Sequence, residues 1–274
     1  MPVARPLLAM ATALLAGHLR ATVPAPAQAM GEPCAAPGAQ VRIDHVVTAV
    51  GDLDDASATY RALGFHLKEG RRHDNGLLNR HVKFRDGTAL ELMSLDGPAT
   101  DTMAREYEAA LHGGEGGVFL AFTGGEQAVV KAASDLGVPV RRFQEGPFGY
   151  VTFPAPGMQA VFVVRYTSRV EDADSVLSHE NGSTGIREVW VEATTELGEV
   201  LVALGARPCG VDAGPDGREA DVYAVGMARV ALLPVTPGAR PRVVAVALAG
   251  PSGPEGRRGG DRVHGLRVEI GGPR

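Results

Sequence analysis

A strand–helix–glycine signature that recurs along the chain constrains its fold more than any other feature. An apolar segment is followed by a helix with apolar residues at helical spacing, and Gly64 closes the first such helix. The same order returns before Gly137 and Gly205, at intervals of roughly 70 residues. A period of this length indicates internal duplication of one small structural unit.

The first unit, residues 43–95, shows the order of elements within the repeat. Its opening apolar run predicts a buried strand, and Asp52 then stands at the N-cap position of the helix. Three more strands are predicted at residues 65–69, 78–84 and 88–95. The last two are joined by Asp86-Gly87, a strong hairpin signal. The order is therefore βαβββ.

Later units repeat this order less clearly. The second unit covers residues 118–165 and the third covers residues 186–235. In the fourth, residues 242–248 and 263–270 predict strands, but residues 250–260 are too rich in glycine and proline for a helix. We therefore expect the last unit to be truncated.

The string DHVV…D…Y..LGF…N…F.DGT.LEL in the first unit resembles the glyoxalase-like domain of the vicinal oxygen chelate superfamily. The resemblance implies pairs of βαβββ modules, each pair curled into a cup that holds a small ligand, often over a divalent metal. The expected fold is α+β, with tandem βαβββ modules forming curled, cup-like mixed β-sheets and helices on the outside. We expect a glyoxalase-like half at residues 41–166, a linker at 167–184 and a second half at 185–274.

The N-terminus predicts export. Arg5 precedes an apolar run at residues 6–17, and Ala27-Gln28-Ala29 offers a small-x-small cleavage site. Residues 1–29 are thus predicted to be a signal peptide, followed by a flexible leader at 30–40, in a secreted or periplasmic protein. In such an oxidising compartment Cys34 and Cys209 could pair; two unpaired thiols are the alternative.

The resemblance also implies metal ligands on the first and last strands of a module, which here are His45 and Glu91. Imidazole and carboxylate donors suit Zn, Mn, Fe or Ni. In the second module the matching positions fall among apolar residues, and the third offers only Glu188 near the His45 position. The expected cofactor is therefore one divalent metal ion, or none.

The hairpin register tests whether His81 completes the ligand set. A two-residue turn at Asp86-Gly87 places His81 on the opposite face from Glu91, whereas a one-residue bulge would reverse this. The simple register predicts that His81 is not a ligand. It also places Arg80 where it could pair with Glu91, which together with a half-buried His45 would give a polar cup lining without metal.

Two further polar residues are candidates for the site. Asn79 matches an asparagine that the family carries early on its third strand, and with Arg80 it is a cofactor-binding candidate; a strand-end polar residue is the alternative. His179, before Asn181-Gly182, resembles a family element in the linker and could join Glu91 in catalysis. An ordinary turn at Asn181-Gly182 explains the same residues.

Composition narrows the function classes. The net charge is -5 without a basic stripe, and aromatic residues make up only 5%, which argues against nucleic-acid binding. The leading hypothesis is a secreted protein that holds a small molecule in its cup. With a metal it would be a lyase, isomerase or dioxygenase-type enzyme; without one, a binding or sequestering protein. A purely structural duplicated scaffold is a third alternative. No stable membrane insertion is expected, and a homodimer is possible.

Overall fold

The computed structural model describes residues 34–168, 171–251 and 262–271. The predicted signal peptide at residues 1–29 lies outside them. Within the described residues, no helix is both long enough and apolar enough to span a membrane.

The first two modules each have the predicted βαβββ order. The elements of the first module are β1 (Val41–Ala49), α1 (Leu53–Ala62), β2 (Lys68–Arg72), β3 (Leu77–Lys83) and β4 (Ala89–Leu95). A connecting helix, α2 (Thr102–His112), leads to the second module. The elements of the second module are β5 (Gly116–Gly124), α3 (Glu126–Asp135), β6 (Arg141–Glu145), β7 (Phe148–Thr152) and β8 (Val161–Tyr166).

A segment with one short helix, α4 (Asp174–Leu177), precedes the third and fourth modules. The third consists of β9 (Gly185–Glu192), α5 (Thr195–Ala203), β10 (Arg207–Ala213), β11 (Glu219–Val225) and β12 (Ala228–Leu233). The described strands of the fourth are β13 (Val243–Ala249), β14 (Arg262–Val263) and β15 (Leu266–Ile270). In all four modules the first strand pairs in parallel with the last one.

These strands belong to one curled, unclosed sheet. Antiparallel pairing joins the modules two by two, β1 with β5 and β9 with β13. The halves meet where Gly117 of β5 pairs with Val243 of β13. A Cβ atom on Gly117 would lie 2.6 Å from the carbonyl oxygen of Val243, so this contact requires glycine.

Helices α1, α3 and α5 pack on one face of the sheet over its main apolar core. The side chain of Asp52 caps α1 by accepting from the backbone N–H groups of Asp54 and Asp55, as the sequence predicts. Helix α2 instead packs on the other face, against Val47 and Met93. We call this other face of the first two modules the first cup, and the matching face of the last two the second cup.

A disulfide between Cys34 and Cys209 ties the N-terminal arm to β10. The arm is also held by backbone hydrogen bonds, from Ala36 N–H to Gly226 C=O and from Gln40 N–H to Leu204 C=O. These contacts attach residues 34–40, the described part of the expected leader, to the third module. Of the two alternatives for the cysteines, the structure contains the paired one.

Candidate functional site

The β3–β4 hairpin differs from the simple register by one residue. Phe84 N–H donates to Thr88 C=O at 2.9 Å, and Gly87 takes a positive φ of 86°, so the loop has three residues. This is the three-residue hairpin loop in which a left-handed glycine forms a bulge. His81 consequently pairs with Glu91. The prediction that His81 points away from Glu91 is wrong for this reason.

Three side chains of the first module meet in the first cup. His45 Nε2 lies 3.3 Å from Glu91 Oε2, and His81 Nε2 lies 3.3 Å from Glu91 Oε1. The side chains are 13%, 21% and 11% exposed for His45, His81 and Glu91 respectively. Strands β1, β3 and β4 are neighbours in the sheet, which is why one module can bring all three together.

Asn79 fixes the orientation of Glu91. Its amide nitrogen donates to Glu91 Oε1 at 2.5 Å, and its amide oxygen accepts from the backbone N–H of Arg71 at 2.9 Å. Burial by itself raises the pKa of Glu91, but the hydrogen bond and charge of His81, with the charge of His45 and the bond from Asn79, outweigh it. The pKa of Glu91 therefore lies well below its ordinary value, and the carboxylate stays ionised.

A second hydrogen-bond chain contacts His45 at Nδ1, the ring nitrogen that does not face Glu91. His45 Nδ1 lies 2.8 Å from Asp44 Oδ2, and the hydroxyl of Tyr166 donates to the same oxygen at 2.5 Å. Asp44 is buried on β1, while Tyr166 ends β8 of the second module. Neither residue is predicted from the sequence. The Asp44-His45 pair within the first strand is the only local signal, since Tyr166 lies 122 residues from Asp44.

Arg80 lies on the opposite face of the sheet from Glu91. Its guanidinium group bonds Glu69 Oε2 at 2.7 Å and Asp54 Oδ1 at 2.6 Å, and it reaches Ser57 of α1. The expected pairing of Arg80 with Glu91 is wrong, because the one-residue shift turns the two side chains to different faces. These contacts make Arg80 a link between β3 and α1.

His179 does not join the Glu91 cluster. Its Nε2 lies 2.9 Å from the carbonyl oxygen of Lys83, and its Nδ1 accepts from the backbone N–H of His66 at 3.1 Å. Burial lowers the pKa of His179; the bond to Lys83 opposes this shift and the charge of His66 adds to it. The nearby Asn181 side chain accepts from Ser183 N–H, as in the turn interpretation. His179 thus connects the linker to the first module.

Aromatic rings stand where the second module would carry ligands. In the second module Phe162 pairs with Ala121, just as Glu91 pairs with Val47 in the first. Phe119 therefore takes the position of His45, and Phe162 takes the position of Glu91. The Phe162 ring lies edge-on to His45 at 5.8 Å between centroids. Further rings extend this surface, which we call the aromatic wall: Phe119, Phe148, Tyr150, Phe162 and Tyr166.

The imidazole nitrogens of His45 and His81 point directly at the carboxylate oxygens of Glu91, and the three side chains do not surround a common empty position. Among the described residues, no group of three or more His, Cys, Asp or Glu side chains is already arranged as a metal-binding set. The donor chemistry of His45, His81 and Glu91 nevertheless matches the two-histidine, one-carboxylate set of many metal sites.

The profile of the glyoxalase-like domain family matches residues 43–205, more than half of the chain. The protein therefore belongs to the glyoxalase-like domain family of the vicinal oxygen chelate superfamily. No curated protein sequence matches the chain.

Solved structures show the same fold. A hypothetical protein from Staphylococcus aureus is similar with a TM-score of 0.61 and 11% identity, over 85% of this chain and 99% of that one. The 2,3-dioxygenase LapB from Pseudomonas sp. KL28 has a TM-score of 0.57 and 15% identity, over 87% and 94%. Homoprotocatechuate 2,3-dioxygenase from Arthrobacter globiformis has a TM-score of 0.54 and 18% identity, over 87% and 81%. At these identities the similarity shows the fold alone.

Proposed function

We propose that the first cup binds a small molecule over a divalent metal ion held by His45, His81 and Glu91. The observation that carries this proposal is the facing arrangement of their donor atoms, with both imidazole Nε2 atoms 3.3 Å from the carboxylate. Two donors that each lie about 2.1 Å from one ion are roughly 3.0–3.4 Å apart at octahedral or tetrahedral angles. The spacing thus suits two ligands of one ion, after the side chains turn toward it.

The hydrogen-bond partners of His45 support the same proposal. With Nδ1 donating to Asp44, a neutral His45 presents the lone pair of Nε2 to the carboxylate of Glu91. Two electron-pair donors in this position repel each other unless a proton or a cation lies between them. A divalent ion would satisfy both groups, and the Asp44 contact would supply the outer support typical of metal-bound histidines.

Each part of the cup has a role in this proposal. Glu91 brings negative charge, Asn79 holds its orientation, and the aromatic wall offers an apolar surface to the flat part of a ligand. The metal would polarise oxygen atoms of the ligand, as in lyase, isomerase or dioxygenase-type chemistry. The dioxygenase names of two similar structures agree with this range, by analogy of fold only.

Export from the cytoplasm is part of the proposal. It is supported by the apolar run and cleavage pattern of residues 1–29 and by the Cys34–Cys209 disulfide, because disulfides persist mainly in oxidising compartments. Mass spectrometry of the non-reduced protein recovered from the periplasm or medium should find a chain that begins near residue 30 with both thiols blocked. A full-length cytoplasmic chain with free thiols would contradict export.

A metal-free binding protein is the second candidate. It is favoured by Phe119 and Phe162, which replace the ligands that a second module would contribute. In that case the His45–Glu91–His81 cluster would be a hydrogen-bonded part of the cup lining. The cup would sequester its ligand without turnover.

Elemental analysis of the purified mature protein distinguishes the candidates. After incubation with Zn, Mn, Fe or Ni and removal of the excess, we expect about one ion per chain in the wild type. His45→Ala, His81→Ala and Glu91→Gln should each lose it, while Glu188→Gln in the second cup should retain it. Absence of bound metal from the wild type would leave the metal-free candidate, and equal metal content in all variants would show that the ligands are misassigned.

A further inference from the structure

We infer that Asp44, held by Tyr166, is a positioning residue that fixes the tautomer of His45. The inference rests on the proposed metal site and adds the residues that would prepare His45 for it. Asp44 directly precedes His45 on β1, and Tyr166 comes from the second module.

The backbone of β1 makes this contact available. Successive residues of a regular strand point to opposite faces. The pairing of β1 with β5, however, shifts by one position between Ile43 and His45. Such an irregularity re-aims side chains locally. It allows the carboxylate of Asp44, which is only 5% exposed, to lie beside the ring of His45.

Hydrogen-bond chemistry then determines where the His45 proton resides. An ionised carboxylate can only accept hydrogen bonds. Asp44 Oδ2 accepts one from the Tyr166 hydroxyl at 2.5 Å and lies 2.8 Å from His45 Nδ1. With Asp44 ionised, the 2.8 Å contact is a hydrogen bond only when Nδ1 carries the proton. In neutral His45 this leaves the lone pair on Nε2, the atom that faces Glu91.

Tyr166 gives the second module a part in the site although that module supplies no ligand. Its ring packs edge-on to Phe148 of the aromatic wall, with 5.6 Å between centroids. One side chain thus touches both the surface proposed to hold the ligand and the carboxylate that orients His45. Removal of the Tyr166 hydroxyl should weaken the orientation of His45 without removing a metal ligand.

Nitrogen NMR of the histidine rings in chelator-treated protein tests the inference directly. Spectra are recorded well above the ordinary histidine pKa of about 6.5, and His45→Gln assigns the signals. We expect the Nδ1–H tautomer for His45 in the wild type. Asp44→Asn should introduce the Nε2–H form, because an asparagine amide can donate to Nδ1 as well as accept from it.

Zn²⁺ affinity, measured by chelator competition, is the second readout. We expect Asp44→Asn to weaken binding by about 10–100-fold and Tyr166→Phe by a smaller factor. Tyr223→Phe, which removes a phenol hydroxyl in the third module, serves as the control and should match the wild type.

Three results would overturn the inference: the Nε2–H tautomer in the wild type, a wild-type tautomer in Asp44→Asn, or unchanged Zn²⁺ affinity in both variants of a protein that binds Zn²⁺. If Asp44→Asn fails to fold, the tautomer and affinity of Tyr166→Phe decide. The NMR readout needs no metal. A wild type that binds no Zn²⁺ but shows the Nδ1–H form, lost in Asp44→Asn, would sink the metal proposal and keep the positioning role.

Discussion

The two cups share one scaffold but fill it with different chemistry. The pairing of β9 with β13 repeats that of β1 with β5, and by this register Glu188 matches His45 while Trp190 matches Val47. Ala231 stands at the position of Glu91. The first cup therefore combines two imidazoles with one carboxylate. The second cup has a carboxylate and an alanine at the positions of His45 and Glu91.

Arginines neutralise the carboxylates of the second cup. Glu188 forms an ion pair with Arg229, and Glu192 lies 2.9 Å from Arg218. Burial raises the pKa of Glu188 even though Arg229 opposes the shift. In the first cup no arginine pairs with Glu91; its described partners are two histidines and an amide. Because the strand arrangement is common to both cups, the two sites differ only in the side chains that meet the carboxylate, and we propose that this difference decides which cup can bind a metal.

The largest expected effect comes from giving the first cup the residues of the second. The double variant His45→Glu, Glu91→Ala removes both matched donors while it preserves the strands that carry them. We expect at least a 100-fold loss of Zn²⁺ affinity, measured by chelator competition, because two of three proposed ligands are changed. An affinity within a few-fold of the wild type would refute the proposed difference between the cups.

Removal of Arg229 tests whether the second cup is a structural ion-pair site. Arg229→Met leaves the carboxylate of Glu188, which is 2% exposed, without its partner. We expect a loss of about 2–3 kcal/mol in the free energy of unfolding, below the range for fully buried pairs because the arginine side chain is 39% exposed. Chemical denaturation measures it, and metal content should not change. A loss of metal would mean that the second cup holds the ion.

Substitution of His179 tests whether this residue is separate from the three proposed metal ligands. His179→Ala should lower the free energy of unfolding by about 1–2 kcal/mol, since the His66 N–H and Lys83 C=O groups lose their partner. His179→Gln, which keeps a donor and an acceptor, should cost less. Both variants should retain metal. Metal loss in either variant would show that His179 contributes to the metal site.

The pH dependence of stability provides a check on His179. Its pKa is lowered in the folded chain, so the unfolded chain binds the proton more readily. Stability should therefore fall as pH drops through the unfolded value of about 6.5, and level off once the folded chain is protonated too. Denaturation midpoints from pH about 8 to about 5 should show a smaller slope in His179→Gln than in the wild type. An identical slope would exclude this role.

Local signals were sufficient to predict much of the fold. The N-cap at Asp52, the helix ending near Gly64 and the 70-residue period identify the module and its repetition. The register of one hairpin was not predictable from these signals, because Asp86-Gly87 is compatible with two-residue and three-residue loops. A one-residue difference moves a whole strand to the other face, and this alone decided the position of His81.

Long-range partners were harder to predict than the module. His45 and Glu91 could be proposed because they recur at fixed positions of the family pattern. The Tyr166–Asp44 contact and the aromatic wall depend on how the second module curls against the first. Glu269 of β15, which matches Phe162 by register, was not predicted because the glycine- and proline-rich residues 250–260 obscure the repeat pattern in the sequence.

The most direct test of the proposed metal site is a crystal structure of the mature protein soaked with Zn²⁺, with anomalous diffraction recorded at the zinc edge. We expect one strong peak per chain, within about 2.0–2.2 Å of His45 Nε2, His81 Nε2 and a Glu91 oxygen, and no peak in the second cup. An empty first cup, with His45 and His81 still bonded to Glu91, would contradict the proposal.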